Sequence, residues 1–225
     1  MNTPIKFDEI KEKGYVVYSI QDLFPEYVDV LKKIYERAKL VDFRAMSHTG
    51  FKNEEKYSTN DTDFSELEKK KEGLIAPEGY SFTQVWYNDN NFFNGFYGDK
   101  TLISELILKV AETIYPKNLY LSTTNDIQHI GLTMYNKGCF IADHKDGTNT
   151  QKLCNILIYL NEDYKDGVGG ELVVENEIVK PTFGTIVFLD FKHVNAMHSV
   201  NVITDASFRR YALISCLIKT ESSLI

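Results

Sequence analysis

Residues 135–147 read YNKGCFIADHKDG, a short apolar run that ends in His144 and Asp146, two residues apart. In an extended strand, side chains two positions apart point to the same face, so these residues project an imidazole and a carboxylate together. A second imidazole from a neighbouring strand would complete a face of two histidines and one carboxylate on a metal ion. Such a face leaves coordination positions open and suits non-haem iron(II). The pair alone occurs in many unrelated proteins, so its meaning depends on the residues that flank it.

The sequence on either side of this stretch is a series of short β-rich runs separated by turn residues. Several short strands at this spacing are typical of a β-sandwich or barrel. The series begins near residue 119 and occupies the second half of the chain. The runs cover 126–135, 140–144, 153–160, 170–174, 185–190, 198–202 and 210–218.

The first half of the chain mixes helical and extended patterns. A short apolar run predicts a strand at Tyr15–Tyr18, and two aromatic-rich stretches at Phe82–Tyr87 and Asn91–Tyr97 also read as extended. Apolar residues recur at helical spacing over Pro25–Ala38 and again from about Asp99 to Ile114. These patterns predict helices that pack on the β-rich half.

Residues 47–73 form a polar and highly charged stretch between these elements. A connection of this length is unusual in a compact domain, and it indicates either a mobile lid or a disordered insertion. The chain has no internal repeat and no low-complexity linker, so we predict a single domain over residues 1–225. Residues 1–118 would form a helical support and a possible lid, and residues 119–220 the β core.

The composition argues against several other classes of protein. Three widely spaced cysteines without a CxxC motif do not suit a disulfide framework or a structural zinc site. A net charge of -7 with only four arginines offers little basic surface for nucleic acid. The N-terminus does not read as a signal peptide, and no apolar run approaches the about 20 residues of a membrane span. We therefore expect a soluble cytoplasmic protein that binds neither nucleic acid nor membrane, with no oligomeric state indicated.

Further segments follow residues 135–147 in an order that makes the pattern specific. They are Tyr159-Leu-Asn161, Gly169-Gly170-Glu171-Leu172, Pro181 to Phe188 with Gly184 between them, His198-Ser-Val200 and Arg210-Tyr-Ala-Leu213. In this order they resemble the 2-oxoglutarate/Fe(II)-dependent dioxygenase superfamily, and its prolyl-hydroxylase-like branch in particular. The resemblance spans roughly residues 128–218.

The resemblance implies a fold and a metal site. The fold is α+β and mainly β, with a double-stranded β-helix (jelly roll) core under an N-terminal helical layer. The site uses Fe(II), 2-oxoglutarate as co-substrate and O2, with His144, Asp146 and His198 as the metal ligands. His193 is the rival for the distal position, and the spacing after the Pro–Gly turn favours His198. The other two histidines are not expected to bind the metal.

The same resemblance implies that the distal carboxylate of 2-oxoglutarate binds a cation on the last strand, where this chain has Arg210. A planar guanidinium matches a carboxylate through two parallel hydrogen bonds. Arg209 is adjacent and, on a strand, would face the other way. We therefore expect Arg210, and not Arg209, to anchor the co-substrate.

Other contacts to the co-substrate are implied less directly. Many relatives carry a serine two residues after the arginine, where this chain has Ala212, so another side chain must serve. The resemblance indicates Tyr159 for that contact and Tyr135 as a second tyrosine beside the co-substrate. Asn155 lies on the same strand face as Tyr159 and is a further candidate. Each of these three side chains would also suit simple core packing.

The implied reaction is hydroxylation of an unactivated C–H bond, coupled to conversion of 2-oxoglutarate to succinate and carbon dioxide. Halogenating relatives have glycine or alanine in place of Asp146, so we expect a halide-independent oxidation here. The charged stretch at 47–73 suggests a site that closes over a small polar molecule, and we expect a small-molecule substrate, in particular a free amino acid. The alternative is a prolyl-type side chain of a protein or peptide. A jelly roll that only binds a metal or ligand would have no need for both the metal set and Arg210.

Overall fold

The structure is a computed structural model and describes nine stretches of the chain. They are residues 6–40, 44–47, 56–58, 83–87, 97–121, 130–145, 151–190, 192–193 and 195–220. At residues 44–47, 56–58, 83–87, 97–101, 142 and 144 the backbone alone is described. Asp146 and most of the charged stretch at 47–73 lie outside these residues.

The helices of the described chain pack as a layer on the sheet that follows. The α-helices are α1 (Phe7–Lys13), α2 (Ile20–Leu23), α3 (Val28–Ala38) and α4 (Tyr97–Ile114), with 3-10 turns at Pro25–Tyr27 and Lys117–Leu119. Helix α3 buries Leu31, Ile34, Tyr35 and Ala38, which is the apolar stripe that its spacing predicts. None of these described helices is both long and apolar enough to cross a membrane.

Twelve described strands form two antiparallel sheets. The strands are β1 (Tyr15–Ser19), β2 (Arg44–Ser47), β3 (Lys56–Ser58), β4 (Thr83–Tyr87), β5 (Gly131–Tyr135), β6 (Ile141–His144), β7 (Lys152–Tyr159), β8 (Leu172–Val174), β9 (Glu177–Val179), β10 (Thr185–Asp190), β11 (His198–Val200) and β12 (Arg210–Ile218). The larger sheet has the order β1-β10-β7-β12-β5-β4-β2-β3, and the smaller sheet has the order β6-β11-β8-β9. Most of the paired strands are distant in the chain, such as β1 with β10 and β5 with β12, as a jelly roll requires.

Two apolar cores lie on opposite faces of the larger sheet. Because side chains alternate along a strand, β7 and β12 each supply one face to each core. The outer core joins the helices to the sheet and includes Leu31, Leu106, Ile156, Ile158, Tyr211 and Leu213. The inner core lies between the two sheets and includes Tyr159, Val187, Ala212, Leu172, Val174 and Val200. The predicted jelly roll with a helical layer is confirmed.

The first half of the chain contributes more to the sheets than the sequence indicated. Strand β1 pairs with β10, and β4 pairs with β5, so two of the three extended stretches predicted for this half join the larger sheet. Strands β2 and β3 were not predicted, and β3 lies inside the stretch that we read as a lid or insertion. Strand β3 is short and mostly polar, and the two apolar residues of β2, Ala45 and Met46, are adjacent, so neither strand carries the apolar alternation that marks a strand. Tyr97 begins a helix instead of ending an extended stretch, and residues 91–96 lie outside the described residues.

Candidate functional site

The two histidines that are expected to bind the metal stand opposite each other in the smaller sheet. Strand β11 pairs with β6 so that His198 and His144 are direct partners. Directly opposed residues of an antiparallel pair lie on the same face, with Cα atoms about 4.5–5.5 Å apart. The side chain of His144 and the whole of Asp146 lie outside the described part of the chain, and no metal-binding group of three or more residues occurs among the described side chains. The backbone therefore brings the two histidines together, while the third expected ligand is not described.

The ring of His198 is oriented by the backbone. His198 is 7% exposed and shares its strand face with Val200, an inner-core residue. Its Nδ1 lies 2.9 Å from the carbonyl oxygen of Ala196. A carbonyl only accepts, so Nδ1 carries the proton and the lone pair of the neutral ring is on Nε2. Metal-binding histidines are commonly held in this way through their other nitrogen.

The rival histidine, His193, has both ring nitrogens engaged by backbone groups. Its Nε2 lies 2.9 Å from the carbonyl oxygen of Lys11, and its Nδ1 accepts a hydrogen bond from the Asn195 N–H at 3.1 Å. The ring also packs so closely on Gly14 that a Cβ there would lie 2.4 Å from Nδ1. His193 thus ties the end of α1 to the loop before β11, and it has no nitrogen lone pair left for a metal in this arrangement.

Arg210 is a buried cation held between two tyrosines. It opens β12, where its direct partner is Tyr135 of β5, and it is 1% exposed. Its Cζ lies 4.8 Å from the ring centroids of both Tyr135 and Tyr159, close enough for cation–π attraction to each. One terminal nitrogen, Nη2, donates to the Tyr159 hydroxyl at 3.0 Å. These contacts fix the plane of the guanidinium.

The positive charge of Arg210 has no anionic partner among the described residues. None of the ion pairs formed by the described residues involves it, and its Nε is buried without a hydrogen-bond acceptor. A buried charge is costly unless it is paired. The site therefore fits a ligand that brings its own carboxylate, which a guanidinium binds through two parallel bonds. The adjacent Arg209 is exposed.

The remaining expected contacts lie on the same inner face as Arg210. Ala212 is the direct partner of Tyr159 in the β7–β12 ladder, so a small side chain stands beside the tyrosine that contacts the guanidinium. Asn155 is half-buried and shares the face of Tyr159, but four residues along a strand separate them by about 13 Å. The structure brings Arg210, Tyr159 and Tyr135 together and leaves Asn155 further along the barrel.

A turn of two glycines, Gly169 and Gly170, lies beside Arg210, and the sequence alone indicated no role for it. Gly170 has a φ of 83°, and a Cβ built there would lie 3.1 Å from Cδ of Arg210. Gly169 has a φ of 85°, and its Cβ would overlap the carbonyl oxygen of Val202. Only glycine adopts this backbone without strain. The paired glycines therefore let the turn close over the aliphatic part of the arginine.

Comparison with protein families agrees with this geometry. Residues 130–216 match the model described as the 2OG-Fe(II) oxygenase superfamily. The match covers strands β5 to β11 and most of β12, including Tyr135, Tyr159 and Arg210. The resemblance read from the sequence motifs is confirmed. No curated protein sequence matches the chain.

Solved structures with a similar fold cover nearly the whole chain. A prolyl-4-hydroxylase of Pseudomonas putida has 13% identity and a TM-score of 0.53, over 95% of this chain and 97% of its own. A prolyl 4-hydroxylase of Phytophthora capsici has 18% identity and a TM-score of 0.57, over 96% of this chain and 62% of its own. A prolyl hydroxylase of Trichoplax adhaerens, solved with a peptide fragment of hypoxia inducible factor, has 16% identity and a TM-score of 0.55, over 97% and 90%. At these identities the likeness is one of fold.

Proposed function

We propose that this chain, a dioxygenase of the 2OG-Fe(II) oxygenase superfamily, hydroxylates an unactivated C–H bond with iron on His144, Asp146 and His198 and with 2-oxoglutarate on Arg210. The observation that carries the proposal is the state of Arg210. It is a 1% exposed guanidinium between two tyrosine rings, without an anionic partner among the described residues. A module that only binds a metal or a ligand would have no need for both this guanidinium and the metal-binding residues, whereas an enzyme that uses iron with a dicarboxylate co-substrate needs both.

The metal part of the proposal rests on two histidines and one carboxylate. The opposition of His144 and His198 across β6 and β11 supports a shared ion, and the Ala196 carbonyl leaves Nε2 of His198 as its ligand atom. Asp146, two residues after His144, would supply the carboxylate from the same strand face. Fe(II) held there would activate O2 for hydroxylation, coupled to conversion of 2-oxoglutarate to succinate and carbon dioxide.

The co-substrate part of the proposal assigns the polar groups around Arg210. Two guanidinium nitrogens would bind the distal carboxylate, while the Tyr159 hydroxyl, already bonded to Nη2, would stand at the edge of the same carboxylate. The ring of Tyr135, 4.8 Å from Cζ, would shield the guanidinium from water. We assign Asn155 to the inner face further along β7, where it would contact the co-substrate or the substrate.

The substrate class has two candidates. The sequence favours a small polar metabolite, in particular a free amino acid, as the molecule that is hydroxylated. The three solved structures with similar folds are prolyl hydroxylases, one of them with a bound peptide, and they support a prolyl-type side chain of a protein or peptide at least as well. Part of the charged stretch that suggested a small-molecule lid is strand β3, which weakens the argument for a lid.

One experiment separates these candidates. Succinate release would be measured with Fe(II), O2 and 2-oxoglutarate against free amino acids, proline-containing peptides and other small metabolites, followed by mass spectrometry of each product. His198→Ala and Arg210→Met serve as inactive controls. A free amino acid that gains one oxygen supports the first candidate, and a peptide that gains one oxygen supports the second. Turnover that is equal in the wild type and both variants would contradict the proposed site.

A further inference from the structure

The side chain of Asn161 holds the backbone on both sides of Arg210. Its Nδ2 donates to the carbonyl oxygen of Arg209 at 2.6 Å, and its Oδ1 accepts from the N–H of Tyr211 at 2.7 Å. These two groups belong to the peptide bonds immediately before and after the Cα of Arg210. Asn161 is 1% exposed, so water does not compete for either bond. One side-chain amide thus fixes both peptide planes that carry the arginine.

The β-ladder explains why this support matters. Strand β7 pairs with β12 only as far as Tyr159 and Ala212, and Arg210 lies two residues beyond that pair. On its other side Arg210 is paired with Tyr135 of β5. The amide of Asn161 therefore supplies, on the β7 side, the donor and acceptor that a continuing strand would have offered. Without it, the only bond left on the β7 side beyond the pair of Tyr159 and Ala212, among the described residues, would be the one from the Leu160 N–H to the Tyr211 carbonyl oxygen at 3.1 Å.

Asn161 is itself fixed by groups from the helical layer and a neighbouring loop. Its Nδ2 also lies 3.1 Å from Oδ1 of Asp163, and the same oxygen accepts from the hydroxyl of Tyr35 on α3 at 2.7 Å. Its own carbonyl accepts from the N–H of Phe183 at 2.7 Å. A chain of hydrogen bonds thus runs from the helical layer to the strand end that carries the buried guanidinium.

We infer that Asn161 is a positioning residue for Arg210 and that it sets the affinity for 2-oxoglutarate through it. A bidentate pair depends on orientation, and a binding constellation tolerates displacements of only about 0.5 Å. The amide holds the arginine where its Nη2 meets Tyr159 and its Cζ lies between both rings. This inference rests on the proposed role of Arg210 as the carboxylate anchor.

A double-mutant cycle tests the inference through 2-oxoglutarate binding alone. Binding is measured by calorimetry on the full chain loaded with Mn(II), with oxygen excluded, so that no turnover is needed. Asn161→Ala is expected to weaken 2-oxoglutarate by about tenfold. In the Arg210→Met background, the same change is expected to alter the affinity by less than about twofold, because its effect acts through the arginine. A general loss of stability would not show this dependence on Arg210.

Two further variants keep the outcome decisive. Asn161→Asp has the same shape and keeps the acceptor for Tyr211, but it loses the donor to Arg209, so it is expected to weaken binding in the same direction if the alanine variant does not fold. Leu106→Ala in the helical core is the control for lowered thermal stability and is expected to leave the affinity unchanged.

Failure of this inference is distinct from failure of the proposed function. If Arg210→Met weakens binding and the folded Asn161 variants do not, only the positioning role is overturned. If Asn161→Ala weakens binding equally in both backgrounds, Asn161 does not act through Arg210. If Arg210→Met binds 2-oxoglutarate like the wild type, or if the wild type does not bind it, the proposed anchor fails and this inference fails with it.

Discussion

Replacing Arg210 by Met should separate the binding of 2-oxoglutarate from the stability of the fold. Met is unbranched and fills irregular space in a core, so the pocket between the tyrosine rings stays occupied while the charge is removed. Without ligand, the wild type bears a desolvation cost of several kcal/mol for the buried guanidinium. The two ring contacts, at 4.8 Å each, and the bond to Tyr159 offset most of it. We therefore expect the ligand-free variant to unfold close to the wild-type temperature.

The loss should appear once the ligand is added. Removing one partner of a buried, hydrogen-bonded charge pair costs about 2–5 kcal/mol, which corresponds to a roughly 30- to 4,000-fold rise in Kd. At a ligand concentration of about 100 Kd, the wild type gains about 2.7 kcal/mol of stability. For a chain of 225 residues this raises Tm by about 5–10 °C. At the same concentration the variant should gain at most about 1 kcal/mol.

The assay is thermal unfolding with and without 2-oxoglutarate, supported by calorimetric titration on the Mn(II)-loaded protein. Arg209→Met is the matched control, because that side chain is adjacent but exposed, and it should keep the full ligand-induced shift. A wild-type shift in Arg210→Met would refute the anchor. A shift that is lost in Arg209→Met and kept in Arg210→Met would mean that the other guanidinium faces the ligand.

Three further outcomes follow from glycine geometry, an unsatisfied lysine and the proposed carboxylate ligand. Gly170→Ala should lower Tm and weaken the binding of 2-oxoglutarate several-fold. Gly167 has a similar φ of 87° but open space at its Cβ, so Gly167→Ala should lower Tm without changing the affinity. Equal calorimetric affinities of the two variants would refute this. Lys219 is buried and its Nζ has no hydrogen-bond partner among the described residues. Lys219→Met should therefore raise the free energy of unfolding by about 1–3 kcal/mol, and Tm with it, while the exposed Lys33→Met should not. Burial lowers the pKa of Lys219, so the folded chain loses this proton before the unfolded chain does and the gain should be larger near pH 7 than near pH 10. Mass spectrometry of a reaction in chloride should show a gain of one oxygen, and a chlorinated product would contradict the ligand role of Asp146.

The strands of the barrel interior were predictable because burial on both faces leaves a continuous apolar run. Strands β10 and β12 occupy residues 185–190 and 210–218, as the sequence predicted. Both carry buried residues at nearly every position, since one face packs on the helical layer and the other faces the barrel. A continuous apolar run can be recognised in the sequence without knowing which strands pair with it.

Strand β9 was not predicted, and its position explains why. It is an edge strand of three residues in which Glu177 and Ile178 are exposed and only Val179 is buried. The turn before it has Glu175 at a φ of 54°, a left-handed conformation for which the sequence offers no glycine. A strand of this kind is fixed by its pairing with β8, which is a property of the assembled sheet.

The proposed metal site illustrates the same difference between what a local sequence pattern predicts and what only the assembled sheet determines. The two-residue spacing of His144 and Asp146 predicts a shared face wherever the chain is extended, but the described strand ends at His144 and Asp146 lies outside the described residues. The choice between His193 and His198 depends instead on which one faces β6, and only the register of β11 against β6 decides that. From the sequence, only the spacing after the Pro–Gly turn and the family resemblance favoured His198 over His193.

Three of the motifs that carried the family resemblance meet at the guanidinium of Arg210, which itself begins the last motif. Tyr135 from the first motif and Tyr159 from the second each have a ring centroid 4.8 Å from Cζ of Arg210. Asn161, also from the second, holds its flanking peptide groups, and Gly170 from the third leaves room for its side chain. A buried charge tolerates few substitutions among its neighbours, whereas apolar packing accepts many side chains of similar volume. The chain therefore keeps a recognisable pattern where contacts converge on this charge, and the helical layer, which is held by packing, offers no comparable motif.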